Sequence, residues 1–190
     1  CGIFLGGIAG YRRGVADLMV ARLIELGLAF PSFFLILTVM GLQDRPSLGT
    51  MILVLGLTRW TDLARLVRAE ALRLRELDFV LAARAAGSGP WRILFTHVLP
   101  NALPPVWVNA AFGVGSAILI ESGLTFLGFG VPPPRASWGE ILGQAVSRPE
   151  CWWLTLGPGL AIFLLVVALN LVGDGLRQRF DPRRPIASIQ

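Results

Sequence analysis

Apolar residues in this chain fall in long runs separated by short polar stretches. The hydrocarbon of a bilayer is about 30 Å thick, so an α-helix needs about 20 apolar residues to cross it. Runs of the right order occupy residues 16–42, 48–67, 103–119 and 153–172, and a shorter one fills residues 1–10. This last run is too short to cross alone, and the chain opens on Cys1 and not Met. It reads as the end of a helix that begins earlier, and the expectation is an N-terminally truncated bundle. Gly2, Gly6 and Gly10 recur every four residues and line one helix face. Such a face lets another membrane helix approach closely. Pro31 is expected to kink the run at 16–42. Arg22 and Glu25, three apart near its start, are placed to pair at the membrane interface. Arg59 and Asp62 lie towards the far end of the run at 48–67.

The polar stretches fix an orientation. With the Arg12–Arg13 turn in the cytoplasm, strict alternation puts the turn at 43–47 outside, with Arg45 and Pro46. The stretch 68–95 falls inside, the Gly- and Pro-rich stretch from Phe126, with Pro132, Pro133 and Pro134, outside, and the tail 173–190 inside. The inside set then holds Arg12, Arg13, Arg68, Arg73, Arg75, Arg84, Arg92, Arg177, Arg179, Arg183 and Arg184. The outside set holds Arg45, Arg135 and Arg148. That eleven-to-three bias is what the positive-inside rule requires. Composition agrees: the chain is 54% hydrophobic and 15% charged, where soluble domains carry about a quarter charged residues. The net charge of +5 comes from arginines that flank apolar runs, which argues against nucleic acid as a partner. Cys1 and Cys151 form no metal or redox pattern, and the Trp152–Trp153 pair suits a membrane interface.

The stretch 68–99 is different in kind. Residues 76–86 favour helix, and Ala82, Ala83, Ala85 and Ala86 give it a small-residue surface. Gly87 can take the left-handed conformation that ends a helix. Ser88 can cap a following helix at 91–95, with Pro90 in its first turn. Leu99-Pro100 then leads back to the membrane. A helix–turn–helix that shows alanines, Trp91 and Phe95 to the cytosol suits docking onto a partner.

The spacing of this stretch resembles a known motif. Leu81-Ala82-Ala83, three residues, Gly87, nine residues, then His97-Val98-Leu99-Pro100 is similar to the EAA loop of ABC-importer permeases. That loop reads Glu-Ala-Ala, three residues, Gly, nine residues, Ile, any residue, Leu-Pro. Arg65-Leu66-Val67-Arg68 before it and Pro100-Asn101-Ala102-Leu103-Pro104 after it extend the likeness. Ser122-Gly123-Leu124-Thr125-Phe126-Leu127-Gly128 and Ser137-Trp138-Gly139 resemble the external segment of the dipeptide, oligopeptide and nickel branch. Asn170-Leu171-Val172-Gly173-Asp174-Gly175-Leu176-Arg177 with Asp181-Pro182-Arg183 looks like the ending of that branch's second permease. Two positions depart from the pattern: Leu81 stands where the motif has Glu, and His97, the sole histidine, where it has Ile.

The resemblance implies an all-α, polytopic transmembrane bundle of the type I ABC importer permease kind, in one domain, in the bacterial inner (plasma) membrane. The coupling loop would be Leu81, Ala82, Ala83, Arg84, Gly87, Trp91, Phe95, Leu99 and Pro100. Implied partners are a homologous second permease, two cytosolic ATP-binding subunits and an extracytoplasmic substrate-binding protein. ATP would sit on those partner subunits. This sequence contains no Gly-x-x-x-x-Gly-Lys-Ser/Thr phosphate loop, so the resemblance implies no cofactor here. A membrane enzyme lacks support in the inventory, with one His and no nucleophile–base set. A channel or scaffold without an energy source differs by having no ATPase partner. The cargo expected is a peptide, with nickel as the alternative; no His/Cys cluster favours a metal.

Overall fold

The computed structural model describes residues 1–43, 46–130 and 134–180. Helix accounts for all the regular structure among these residues: α1 (Gly2–Arg12), α2 (Val15–Ala29), α3 (Ser32–Gly41), α4 (Leu48–Leu74), α5 (Asp78–Ala85), α6 (Pro90–Ile93), a π-helical turn (Leu94–Val98), α7 (Leu99–Phe126), α8 (Trp138–Ser147) and α9 (Trp153–Phe180). Pro90–Phe126 and Trp153–Phe180 are each long and apolar enough to cross a membrane. The pair α2 and α3 makes a third such element, bent by 69°. The bend has a local cause. Phe30, before Pro31, is held extended at φ −98° and ψ 126° by the clash of the proline ring with a helical neighbour. A kink was expected from Pro31; the outcome is a full break.

Small residues set the helix spacing. A side chain at Gly2, Gly6 or Gly10 would place its Cβ 2.5, 2.3 and 2.4 Å from the carbonyl oxygens of Trp60, Ala64 and Arg68. Both series climb by four, so α1 lies parallel against α4 with backbones touching. α4 also packs on α7, and α7 pairs with α9. Phe112 meets Gly173, and Gly115 meets Val166 and Leu169. The pairing numbers fall on one helix as they rise on the other, so α7 and α9 are antiparallel. Gly139 of α8 sits on the Ser122 carbonyl of α7, 2.2 Å from where a Cβ would be.

Several boundaries differ from the sequence reading. The helix expected to end at residue 67 runs on to Leu74, because Ala64, Val67, Ala71 and Leu74 keep one buried face in register. The segment returning to the membrane is one helical column from Pro90 to Phe126. The widened turn falls where Pro100, lacking an N–H, would otherwise clash with the preceding turn. The tail also begins later than residue 173, since α9 continues to Phe180. Within the external stretch, Ser137 caps α8, its Oγ accepting the Glu140 N–H at 3.2 Å. Arg45, Pro132, Pro133, Arg183, Arg184 and the Asp181-Pro182-Arg183 ending lie outside the described residues.

The buried side chains form two separate clusters. One gathers Tyr11, Val67, Ala71, Leu74, Val80, Ile93, Leu94, Val98, Leu99, Ala102 and Val106. The other gathers Ile36, Met40, Met51, Val54 and Leu124. The first lies at the end of the molecule that carries the predicted loop.

Candidate coupling surface

The loop has two faces, and its sequence explains both. Val80, Ile93, Leu94 and Val98 point inward and are fully buried in the first cluster with Val67, Leu74 and Leu99. Burying apolar side chains of this size stabilises by about 1.5–3 kcal/mol each, so the loop is fastened to α4 and α7. Leu81, Ala82, Arg84, Ala85 and Ala86 point outward and are exposed, and Ala83 is half-buried. The first loop helix starts at Asp78 and not at residue 76, since Leu77 is extended.

Gly87 ends α5 in the left-handed region, at φ +80°. The Ser88 N–H donates to the Ala83 carbonyl at 3.1 Å and the Gly87 N–H to the Arg84 carbonyl at 3.0 Å. This is the Schellman arrangement, which satisfies carbonyls a helix end would otherwise leave open. Ser88 does not cap the next helix. Gly89 takes that position without a side-chain bond, and Pro90 supplies the pre-set φ of the first turn.

Trp91 and Phe95, one helical turn apart, stack at 6.1 Å with 17° between their planes. They remain 46% and 49% exposed, a large apolar area for a loop to leave open. Arg12, at the end of α1, lies 4.5 Å over the Trp91 ring, a cation–π contact. Phe4 approaches Phe95 at 6.4 Å. His97 is half-buried with its ring 6.4 Å from Phe79. Leu99 is buried and Pro100 exposed at the start of α7. Leu81, where the motif has Glu, is 43% exposed and adds apolar area to this face.

Polar contacts tie the loop end to its neighbours. Arg68 of α4 makes two bonds to Asp17 of α2, at 2.5 and 3.0 Å. That fork geometry is the strong form of a charged pair. Hydrogen bonding to Asp17 holds the Arg68 guanidinium above its ordinary range, against the lowering effect of partial burial. Arg75 donates to the Tyr11 carbonyl at 3.0 Å and to Glu76 at 3.0 Å, and Glu76 also faces Arg13 at 3.9 Å. Arg22 and Glu25 do pair, at 2.7 Å, both exposed. The Asp17–Arg68 and Arg12–Trp91 contacts were missed in the sequence reading. Both partners lie far apart in the chain, and no local spacing announces them.

The sequence matches the profile of one family over residues 2–185, described as the binding-protein-dependent transport system inner membrane component. The chain belongs to this family, whose members are ABC-importer permeases with the type I fold. It is 43% identical over 185 residues to the "Putative peptide transport system permease protein" of Brucella suis, covering 94% of this chain and 62% of that protein. It is 39% identical over 186 residues to the dipeptide transport system permease protein DppC of Alkalihalophilus pseudofirmus, covering 96% and 60%. The chain thus spans about three-fifths of the length of these curated relatives.

Proposed function

We propose that this chain forms part of the translocation path for short peptides in an ATP-driven importer of the bacterial inner membrane. Its loop of Leu81, Ala82, Ala83, Arg84, Gly87, Trp91, Phe95, Leu99 and Pro100 receives a separate ATPase subunit. A second permease completes the path, and an extracytoplasmic binding protein delivers cargo. ATP is bound and hydrolysed by the partner subunits.

The observation that carries this reading is the two-faced loop. Its inner face is buried with α4 and α7, while its outer face leaves Leu81, Trp91 and Phe95 open. A push on the outer face would move the helices that run into the membrane. Such a lever suits alternating access, in which the two states must differ in their affinity for cargo. Peptide cargo is favoured by the names borne by the relatives, two of which are given as peptide or dipeptide permeases.

The test is reconstitution of the full-length permease with its second permease, ATPases and binding protein in vesicles. ATP-dependent accumulation of labelled short peptides is the expected outcome. Accumulation of nickel and no peptide would overturn the cargo assignment. Uptake that proceeds without any ATPase would overturn the coupling assignment.

A further inference from the structure

The two apolar clusters leave a belt between them. On α4 the buried members end at Val54 on one side and resume at Val67 on the other; on α7 the corresponding residues are Leu124 and Val106. Arg59, Thr61, Asp62 and Ser116 stand in the interval. At 1.5 Å per residue, Ser116 is about 15 Å along α7 from Phe126, the end of a column long and apolar enough to cross a membrane. Arg59, expected towards the far end of its run, bonds to Ser116, and this level is near the middle of about 30 Å of hydrocarbon. A cation at that depth is costly, and it marks a functional position by default.

Arg59 is held without being used up. Its Nη2 donates to the Ser116 Oγ across the α4–α7 contact. Its Nη1 lies 4.0 Å from the Asp62 Oδ2, which is charge attraction beyond hydrogen-bond reach. Among the described residues Ser116 is its hydrogen-bond acceptor, so most of its N–H donors remain available. Asp62 is shared, with Oδ1 at 3.8 Å from the Arg65 guanidinium. Two guanidinium groups on one carboxylate leave a net positive charge. The Arg59 and Asp62 side chains are 33% and 36% exposed, so this charge is open on one side.

It opens onto a groove of about 360 Å³, lined by Leu55, Leu63, Val106 and Trp107, with Arg59 and Asn109 as its polar side chains.

We infer that Arg59 is a recognition point for the carboxylate of a peptide in transit, a role that rests on the peptide-import reading above. A planar guanidinium matches a carboxylate in paired hydrogen bonds, and apolar walls would strengthen the attraction. Charge complementarity selects this occupant, because a divalent cation would meet a net positive charge. Ser116 and Asp62 hold the guanidinium when no cargo is present. Cargo must displace that attraction, which keeps binding weak enough for release.

The test compares vesicles carrying the assembled importer with full-length wild-type, Arg59→Gln or Arg59→Lys permease. The probes are alanine peptides of increasing length, each as the free acid and as the C-terminal amide. Loss of one charge-assisted contact should lower uptake of the free acid by roughly ten- to hundredfold in Arg59→Gln. The preference for acid over amide should shrink with it, while Arg59→Lys keeps most of that preference. An unchanged acid-to-amide ratio in Arg59→Gln would overturn the inference and leave peptide import standing. Wild-type vesicles that take up nickel and no peptide would overturn the import reading itself. A second measurement leaves Arg59 in place: Asn109→Cys, in a permease lacking Cys1 and Cys151, is labelled with anionic and cationic thiosulfonates. The anionic reagent should react faster, and the free-acid peptide should protect better than the amide. Faster reaction of the cationic reagent overturns the inference whether or not the Arg59 variants assemble.

Discussion

Gly6 shows how little room single residues have here. A methyl group on it would sit 2.3 Å from the Ala64 carbonyl oxygen, and that atom is backbone. No side-chain rotation can relieve the overlap, so α1 must move off α4. Gly6→Ala should destabilise the protein by about 1–3 kcal/mol, the usual range for overpacking. A thermal melt of the detergent-solubilised protein checks this, with Gly175→Ala as control. Nothing lies within 4 Å of a Cβ on Gly175, and alanine there gains helix propensity. Gly87 is constrained differently. Space around it is open, but φ is +80°. Gly87→Val should strain the turn by roughly 1–2 kcal/mol or more and redirect Trp91 and Phe95. Membrane abundance should stay near normal while transport falls, measured with ATP hydrolysis on the same vesicles. Transport at the wild-type rate with cargo-stimulated hydrolysis intact would refute the coupling role of this turn.

At the scale of elements, the loop separates docking from stability. Trp91 is half-exposed and Val80 fully buried, on neighbouring short helices. Exposed aromatic residues at an interface often carry more than about 1.4 kcal/mol, a tenfold change in affinity. Trp91→Ala should therefore weaken ATPase binding by roughly tenfold or more and barely shift the melting temperature. Val80→Ala should lower the melting temperature instead, through a cavity under the loop. If both variants bind ATPase as well as the wild type does, the outer face is not the docking surface. These elements were legible because local chemistry marks them: Gly87 and Pro90 punctuate the loop, and Gly2, Gly6 and Gly10 mark a packing face. The continuity of α4 to Leu74 was not legible. Arg68, Glu70 and Arg73 read as an aqueous loop, yet Val67, Ala71 and Leu74 carry the buried face through them. The cap assigned to Ser88 failed because the next helix starts at Pro90, which puts Gly89 and not Ser88 at the capping position. The pairing of Arg59 with Ser116 spans 57 residues and could emerge only from the packing of α4 on α7.

At the scale of the whole molecule, helix directions gather the charges at one end. α1 and α4 are parallel, as the pairings of Gly2, Gly6 and Gly10 with Trp60, Ala64 and Arg68 require. Their C-terminal ends carry Arg12, Arg13, Arg68, Arg73 and Arg75, beside the loop with Arg84 and Arg92. α7 leaves that end, and α9 returns to it antiparallel, bringing Arg177 and Arg179. The opposite end, with α8, holds Arg135 and Arg148 among the described residues. A membrane that keeps arginine loops in the cytoplasm would place the loop end inside and the α8 end outside. Single cysteines test this in a background lacking Cys1 and Cys151. Ala85 suits the loop end, since it is exposed on α5. Ala136 suits the other end better than its neighbour Ser137, whose hydroxyl caps α8. Losing that cap would cost about 1 kcal/mol and confuse the result. In intact cells a membrane-impermeant thiol reagent should label Ala136→Cys and spare Ala85→Cys until the membrane is opened. Labelling of Ala85→Cys in sealed cells would invert the orientation, and an ATPase in the cytoplasm could then not reach Trp91 and Phe95.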